Sequence, residues 1–163
     1  MSENLAYLAG IVDADGYIGI IKVKRSDYGA GYRHNPCVKV VGTDQAMPGF
    51  FHDEFGGWMS KRDFHHAVWK DAYYWEAKNG TVVLRVITAL QPFLRLKARQ
   101  AEIVLELLEA SSCNNKWHKG SKGRPRLSDD ELARREVLYQ EIRRLNHRGK
   151  PPATTKREDT HIG

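Results

Sequence analysis

Apolar positions along this chain follow two rhythms, one helical and one of strict alternation, and the changes between them mark out its elements. Leu5, Leu8, Ala9, Ile11 and Val12 form a short helical stripe, with Ser2 as N-cap, Glu3 in the first turn and Asp15-Gly16 as the stop. Tyr17–Arg25 (YIGIIKVKR) is β-branched and reads as a strand, and glycines 29 and 31 turn it into a hairpin. Asn35–Thr43 alternates Val38 and Val40 with Cys37 and Lys39, as a half-buried strand does. Asp44 caps a short helix reaching Phe55, which Gly56-Gly57 ends. Trp58–His66 and Ala72–Asn79 read as a second hairpin, and Asn79-Gly80 leads into a helix over Thr81–Leu90. Pro92 opens another helix, with Leu94, Leu96, Ala101, Val104, Leu105 and Leu108 on its apolar face. Residues 111–127 read as a polar linker, Ser128 with Glu131 as a capping box opening a charged helix to about Asn146, and Arg148–Gly163 as a loose tail. This order predicts an α+β fold with one antiparallel sheet covered by helices on a single face. Residues 1–112 form its core; residues 113–163 supply a basic linker, a helix and the tail.

At 163 residues, 41% hydrophobic and 10% aromatic, the chain has the apolar content for a packed core. No apolar run approaches the ~20 residues of a membrane helix, so no membrane-spanning role is expected. Cys37 and Cys113 lack a CxxC spacing, and the N-terminal stretch lacks the charged-then-apolar layout of a secretion signal. A reduced, intracellular protein of cytoplasm, nucleoid or organelle is expected. Charge changes the picture. Residues 1–112 balance 13 Lys/Arg against 13 Asp/Glu, whereas residues 113–163 hold 13 against 7, so the whole excess of +6 sits in the last third. A basic extension on a balanced body implies a polyanionic partner, which DNA, RNA or a membrane surface could satisfy.

Candidate chemistry concentrates at Leu8–Gly16. Asp13 and Asp15 lie at the C-terminal end of the first helix, where the macrodipole is already negative and a carboxylate costs up to ~1 kcal/mol unless something positive compensates. Ala6 and Gly10, four apart, leave one helix face open to a close partner. Two such helices packed about a two-fold axis would bring four carboxylates together, a setting that requires hard divalent cations. The alternative is that both aspartates merely terminate a core helix. Elsewhere, His65-His66 and the pair Cys113 and His118 lack the second ligand set of a zinc site, and Gly123–Arg126 (GRPR) reads as a solvated basic loop.

LAGIVDADG resembles the signature of the LAGLIDADG homing endonucleases, matching seven of nine positions in register, with Ile11 and Val12 as apolar exchanges. It opens the domain, occurs once, and is followed at once by a hairpin. Leu90–Glu109 (LQPFLRLKARQAEIVLELLE) resembles the segment in which that family places a basic active-site lysine before a helix. The resemblance covers residues 5–110. It implies an αββαββα core whose four-stranded antiparallel sheet is saddle-shaped and lies in the DNA major groove, with the C-terminal helical tail added.

One-motif members of that family dimerise through the motif helix, so the implied interface is Leu5, Ala6, Leu8, Ala9, Gly10, Val12 and Asp13. The implied cofactor is Mg²⁺, with Mn²⁺ as a substitute and Ca²⁺ bound without turnover, held by the Asp15 carboxylate and the Ala14 carbonyl. Lys97 maps to the family's basic residue. Where the family often places a Gln or Asn to position the attacking water, this chain has Gly42-Thr43, so either Thr43 or Gln45 takes that task or the water is held differently. The implied partners are double-stranded DNA and a second copy of the chain.

With Val38 and Val40 facing the core, the two-residue period puts Arg33, Asn35, Cys37 and Lys39 on the DNA side. In the first strand Tyr17 and Arg25 face outward, whereas Lys22 and Lys24 fall inward in register with Ile18 and Ile20. Buried unpaired lysines are untenable, so either a bulge or a strand end running past the core is expected, and both lysines count among the DNA contacts. In the second hairpin Arg62, Tyr74 and Glu76 are candidates, with Lys61 nearer the phosphates. A nine-residue strand spans ~30 Å, so each subunit covers about nine base pairs. Two binders without cleavage compete with an endonuclease: an RNA maturase, and a DNA-binding regulator on the same fold.

Overall fold

The computed structural model describes residues 2–25, 31–64, 70–113 and 127–147. The first hairpin's loop, His65-His66, the linker beyond Cys113 with GRPR, and the tail from Arg148 lie outside the described residues. The elements are α1 (Ser2–Asp15), β1 (Tyr17–Lys24), β2 (Tyr32–Gly42), α2 (Ala46–Phe55), β3 (Trp58–Arg62) and β4 (Ala72–Ala77), then α3 (Gly80–Leu90), a 3₁₀ turn (Gln91–Phe93), α4 (Ala98–Cys113) and α5 (Asp129–Leu145). The four strands form one sheet in the order β1-β2-β4-β3, antiparallel throughout. This is the expected α+β architecture.

The caps explain most of the boundaries. Asn79 accepts from the Thr81 N–H at 2.9 Å to open α3, and Ser128 Oγ accepts from the Glu131 N–H at 3.2 Å to open α5. Asp44 Oδ1 accepts from the Ala46 N–H at 2.8 Å ahead of α2, and positive-φ Gly56 and Gly57 end that helix. β2 starts at Tyr32, earlier than its alternation shows, because the ladder with β1 runs on to Lys24↔Tyr32. Pro36 is tolerated inside it because β4 pairs with β2 only from Val38 onward.

Ile18, Ile20, Val38, Val40, Trp75 and Ala77 point from the sheet into a core closed by α1 to α4. Trp75 is fully buried against Phe51 and Phe55, and its indole N–H donates to the Gly56 carbonyl at 2.7 Å. α5 joins the same core through Leu138 and Ile142, and the Asn146 side-chain amide at its end donates to the Ile18 carbonyl at 2.8 Å.

Two expectations change. The helix expected from Pro92 is interrupted: Pro92 sits in the 3₁₀ turn, Leu94 is extended, and α4 starts only at Ala98. Leu96 is therefore 76% exposed instead of lying on an apolar helix face. The expected bulge in β1 is absent, since its register runs unbroken from Tyr17↔Lys39 to Lys24↔Tyr32. The strand end runs past the core, and α5 covers the inward side of it. Glu136 of α5 binds Lys22 Nζ at 2.9 Å and buried His34 Nε2 at 3.0 Å, while Lys22 also sits 3.9 Å over the Tyr32 ring.

Burial raises the Glu136 carboxyl, but donation from Lys22, Gln140 and His34 outweighs that and holds it at about 2. Burial lowers His34 more than Glu136 raises it, so this imidazole is neutral near pH 7. An unfolded histidine takes a proton near pH 6.5 that folded His34 refuses, so stability falls as pH drops below 6.5 toward the lowered value. The Glu136 contribution is lost only lower, as pH falls from 4.5 to about 2. Thermal melts across pH 5 to 7.5 are expected to show the first decline, and His34→Gln should flatten it; an unchanged slope in the variant would contradict the assignment.

Candidate functional site

The turn from α1 into β1 is tight. The Gly16 N–H donates to the carbonyls of Ile11 and Val12 at 3.2 and 3.1 Å, and a Cβ on Gly16 would stand 2.6 Å from Val12 Cα. Only glycine lets the chain leave the helix this close to its own backbone.

Around this turn two helix ends of opposite polarity meet. The segment before α4 aims its N–H groups at Asp13: Arg95 and Leu96 donate to Oδ2 at 2.7 and 3.1 Å, and Lys97 donates to Oδ1 at 2.9 Å. In return the buried Lys97 side chain reaches the end of α1, where Nζ donates to the Val12 carbonyl at 2.7 Å and to the Asp13 carbonyl at 2.5 Å. Burial raises the Asp13 carboxyl, but the three backbone donors and the Lys97 ammonium outweigh it and hold it below the ordinary aspartate range. The chain has already left the helix at extended Leu94, and these bonds take the N–H groups of Leu96 and Lys97 that a helix running on from Pro92 would have used internally.

Asp15 and Ala14, one turn edge away, are exposed, and the Asp15 carboxylate has no hydrogen-bonding partner among the described residues. Its donor chemistry suits a hard cation: one carboxylate and one carbonyl, with no cluster of three His, Cys, Asp or Glu among the described residues. Among the described residues, one copy of the chain could therefore supply these two oxygen donors to such a cation. Thr43 and Gln45 are both exposed just beyond the end of β2 at Gly42, with Gln45 opening α2.

The sheet face opposite the helices carries one row across all four strands, Tyr17↔Lys39↔Glu76↔Trp58. Arg33, Asn35, Tyr74 and Arg62 share that face by strand parity, as expected. Lys39 Nζ lies 4.8 Å from the Tyr74 ring centroid, and Lys78 pairs with Glu76 at 2.7 Å. Cys37 has the outward parity but is buried: the Tyr17 ring lies back over Gly19, its register partner, where any Cβ would collide with the ring. Burial first, with Glu76 beside it, pushes the Cys37 thiol up to about 12, so it presents no thiolate.

Lys22 and Lys61 belong to the helix side. Lys22 is held by Glu136, and Lys61, opposite Tyr73, is bound by Asp63 and Asp71 at 2.6 and 2.8 Å. Lys24 and Arg25 are exposed at the far end of β1. Tyr17 lies on this face as its register requires, whereas Trp58, 69% exposed, was not singled out although the two-residue period that selects Arg62 also selects it. The helix face changes as well. Leu8, Ala9 and Val12 are enclosed in the chain's own core at 3%, 0% and 0% exposure, so they cannot face a partner. The outward side of α1 carries Ala6, Tyr7 and Gly10, with Leu5 and Asp13 half-buried.

No family model matches the sequence, and no curated protein does. Solved structures match the fold. The homing endonuclease I-CvuI in complex with its target in the presence of Ca aligns with a TM-score of 0.72 at 23% identity, over 93% of this chain and 87% of that one. The archaeal intron-encoded homing endonuclease I-Vdi141I complexed with DNA gives 0.71 at 17%, over 91% and 87%. The LAGLIDADG meganuclease I-AabMI bound to uncleaved DNA gives 0.62 at 14%, over 82% of this chain and 44% of that one. The chain has the fold of the LAGLIDADG homing endonucleases.

Gly16→Ala forces backbone apart at the end of α1 and should destabilise the protein by about 1–3 kcal/mol. Denaturant melts read this directly, and a midpoint equal to that of the parent protein would mean the turn has room that the geometry denies.

Proposed function

We propose that this chain is a site-specific DNA endonuclease that acts as a homodimer and cuts both strands of a long, pseudo-palindromic duplex by metal-dependent hydrolysis. The observation that carries this reading is the exposed Asp15 carboxylate beside the Ala14 carbonyl, set against buried Lys97 on a fold shared with DNA-bound homing endonucleases.

Mg²⁺ held there, or Mn²⁺ in its place, would supply a Lewis acid and lower the pKa of a bound water, while Ca²⁺ would bind without turnover. Asp15 and Ala14 provide the oxygen donors. Lys97 holds positive charge at the α1 terminus, where negative charge builds up at a phosphate under attack. Thr43, exposed beyond β2, is the hydroxyl assigned to orienting water. The outer row and its neighbours Arg33, Asn35, Lys39, Arg62, Tyr74 and Glu76 read bases, with Lys24 and Arg25 at phosphates. Lys22 and Lys61 leave this set because carboxylates of the helix side and the β3–β4 turn already hold them. Two copies meeting on Ala6 and Gly10 would bring two Asp15 carboxylates together.

Asp15→Asn is expected to abolish Mg²⁺-dependent cleavage in single-turnover assays while preserving or strengthening binding in Ca²⁺, because repulsion between carboxylates and phosphates is removed. The parent protein should first be offered a randomised duplex library and its cut ends sequenced. Tight duplex binding with no cut ends would favour the non-cleaving regulator, and preference for RNA the maturase.

Gly10→Leu tests assembly cleanly, since a Cβ at Gly10 meets nothing within 4 Å in the single chain. The variant should remain folded yet sediment as a monomer where the parent is a dimer; an unchanged dimer in analytical ultracentrifugation would refute packing on this face.

A further inference from the structure

We propose that Asp13 is a positioning residue, whose carboxylate holds the Arg95–Lys97 turn so that the Lys97 ammonium is fixed beside Ala14 and Asp15. The proposal rests on the endonuclease reading only for its consequence in catalysis; the clasp itself does not need it.

A carboxylate accepts hydrogen bonds and cannot donate them, so Asp13 cannot satisfy the orphan carbonyls at the end of α1. Simple helix termination therefore leaves its side chain unexplained. Its oxygens instead take three consecutive N–H groups from a segment 82 to 84 residues away, the donors immediately preceding α4. Residue 97 is thereby gripped at both ends by one stretch of α1: its N–H by the Asp13 carboxylate, and its Nζ by the carbonyls of Val12 and Asp13. A free lysine side chain has four rotatable bonds, and confining it has a large entropic cost. Fixing its backbone first removes part of that cost. Between buried Leu94 and the start of α4, the Leu96 side chain is 76% exposed and that of Arg95 is also exposed, so neither packs the turn in place.

Asparagine has the same shape but one acceptor oxygen, and its NH₂ faces N–H groups that need an acceptor. In Asp13→Asn at least one of the three donors loses its partner, the turn loosens, and the Lys97 amine is released from α1.

Amine acylation with an N-hydroxysuccinimide ester, read by mass spectrometry on the full chain, reports this without any cleavage assay. In the parent protein Lys97 should react far more slowly than exposed Lys24. Asp13→Asn should raise its rate about tenfold, the effect of losing a hydrogen bond to a charged group. Arg95→Ala, which keeps every backbone donor, should leave it unchanged. Under single-turnover conditions Asp13→Asn should slow cleavage by about a hundredfold with binding in Ca²⁺ held within about twofold, the signature of misplacement rather than lost affinity. Should Asp13→Asn fail to fold, hydrogen exchange on the parent protein decides the matter: the amides of residues 95–97 should be protected although they lie outside any helix.

Rapid exchange there, an unchanged Lys97 acylation rate in Asp13→Asn, or equal loosening by Arg95→Ala would overturn the proposal. Protection and release of Lys97 in a protein that cuts no duplex would uphold the clasp while sinking the endonuclease reading.

Discussion

Two helix termini of opposite polarity lie side by side here, and each is met by a charge carried on the other's segment. Lys97, at the start of α4, places its ammonium on the carbonyl end of α1, and Asp13, near the end of α1, places its carboxylate on the N–H groups leading into α4. A lone carboxylate at a helix C-terminus costs up to about 1 kcal/mol, while hydrogen bonds to a charged group contribute about 1.5–3 kcal/mol each. Three such bonds outweigh the dipole even after allowance for partial exposure. The exchange ties the first helix to a segment more than 80 residues later, and the exposed Asp15, the entry into β1 and the start of α4 all depend on it.

The same logic of paired opposites appears at the other end of β1. There the strand outruns the apolar core, and its inward lysine would be left over a hydrophobic layer. α5 supplies Glu136, which serves Lys22 and His34 together, and the aromatic rings of Tyr32 and Tyr139 surround the group. A helix with a strongly polar sequence thus becomes part of the fold through Leu138 and Ile142, the Glu136 carboxylate, the Glu141 carboxylate paired with Arg99 of α4 at 2.8 Å, and the Asn146 amide. The end of α5 is anchored at Ile18, two residues past the motif.

Pairing with carboxylates also divides the positive charges of the strands. Lys22 and Lys61 are neutralised on the helix side, which leaves Arg33, Lys39 and Arg62 on the open face of the sheet. Tyr17 and Trp58 extend that face with aromatic surface, and Tyr17 also closes over the thiol of Cys37. The proposed base reading rests on this mixed face of cations, one carboxylate and aromatics, since donors, acceptors and a methyl group must be told apart in a major groove.

The sequence alone determined the order of helices and strands and most of their boundaries, because caps, glycines and apolar period act within a few residues of one another. Asn79, Ser128 and the Gly56-Gly57 pair each end or start an element where local chemistry requires it. The nine residues from Leu8 to Gly16 also singled out Asp15, and the likeness of Leu90–Glu109 to a segment of the same family singled out Lys97. Period cannot say which second element covers a face. Leu8, Ala9 and Val12 looked available to a partner, yet the chain's own core encloses them; Leu96 looked apolar and inward, yet it is exposed and its N–H goes to Asp13. Lys22 looked like a contact for DNA until α5 brought Glu136 to it. Only the tertiary structure decided these points, because each rests on a contact between segments far apart in the chain, whose charge and shape match in space and leave no trace in local spacing.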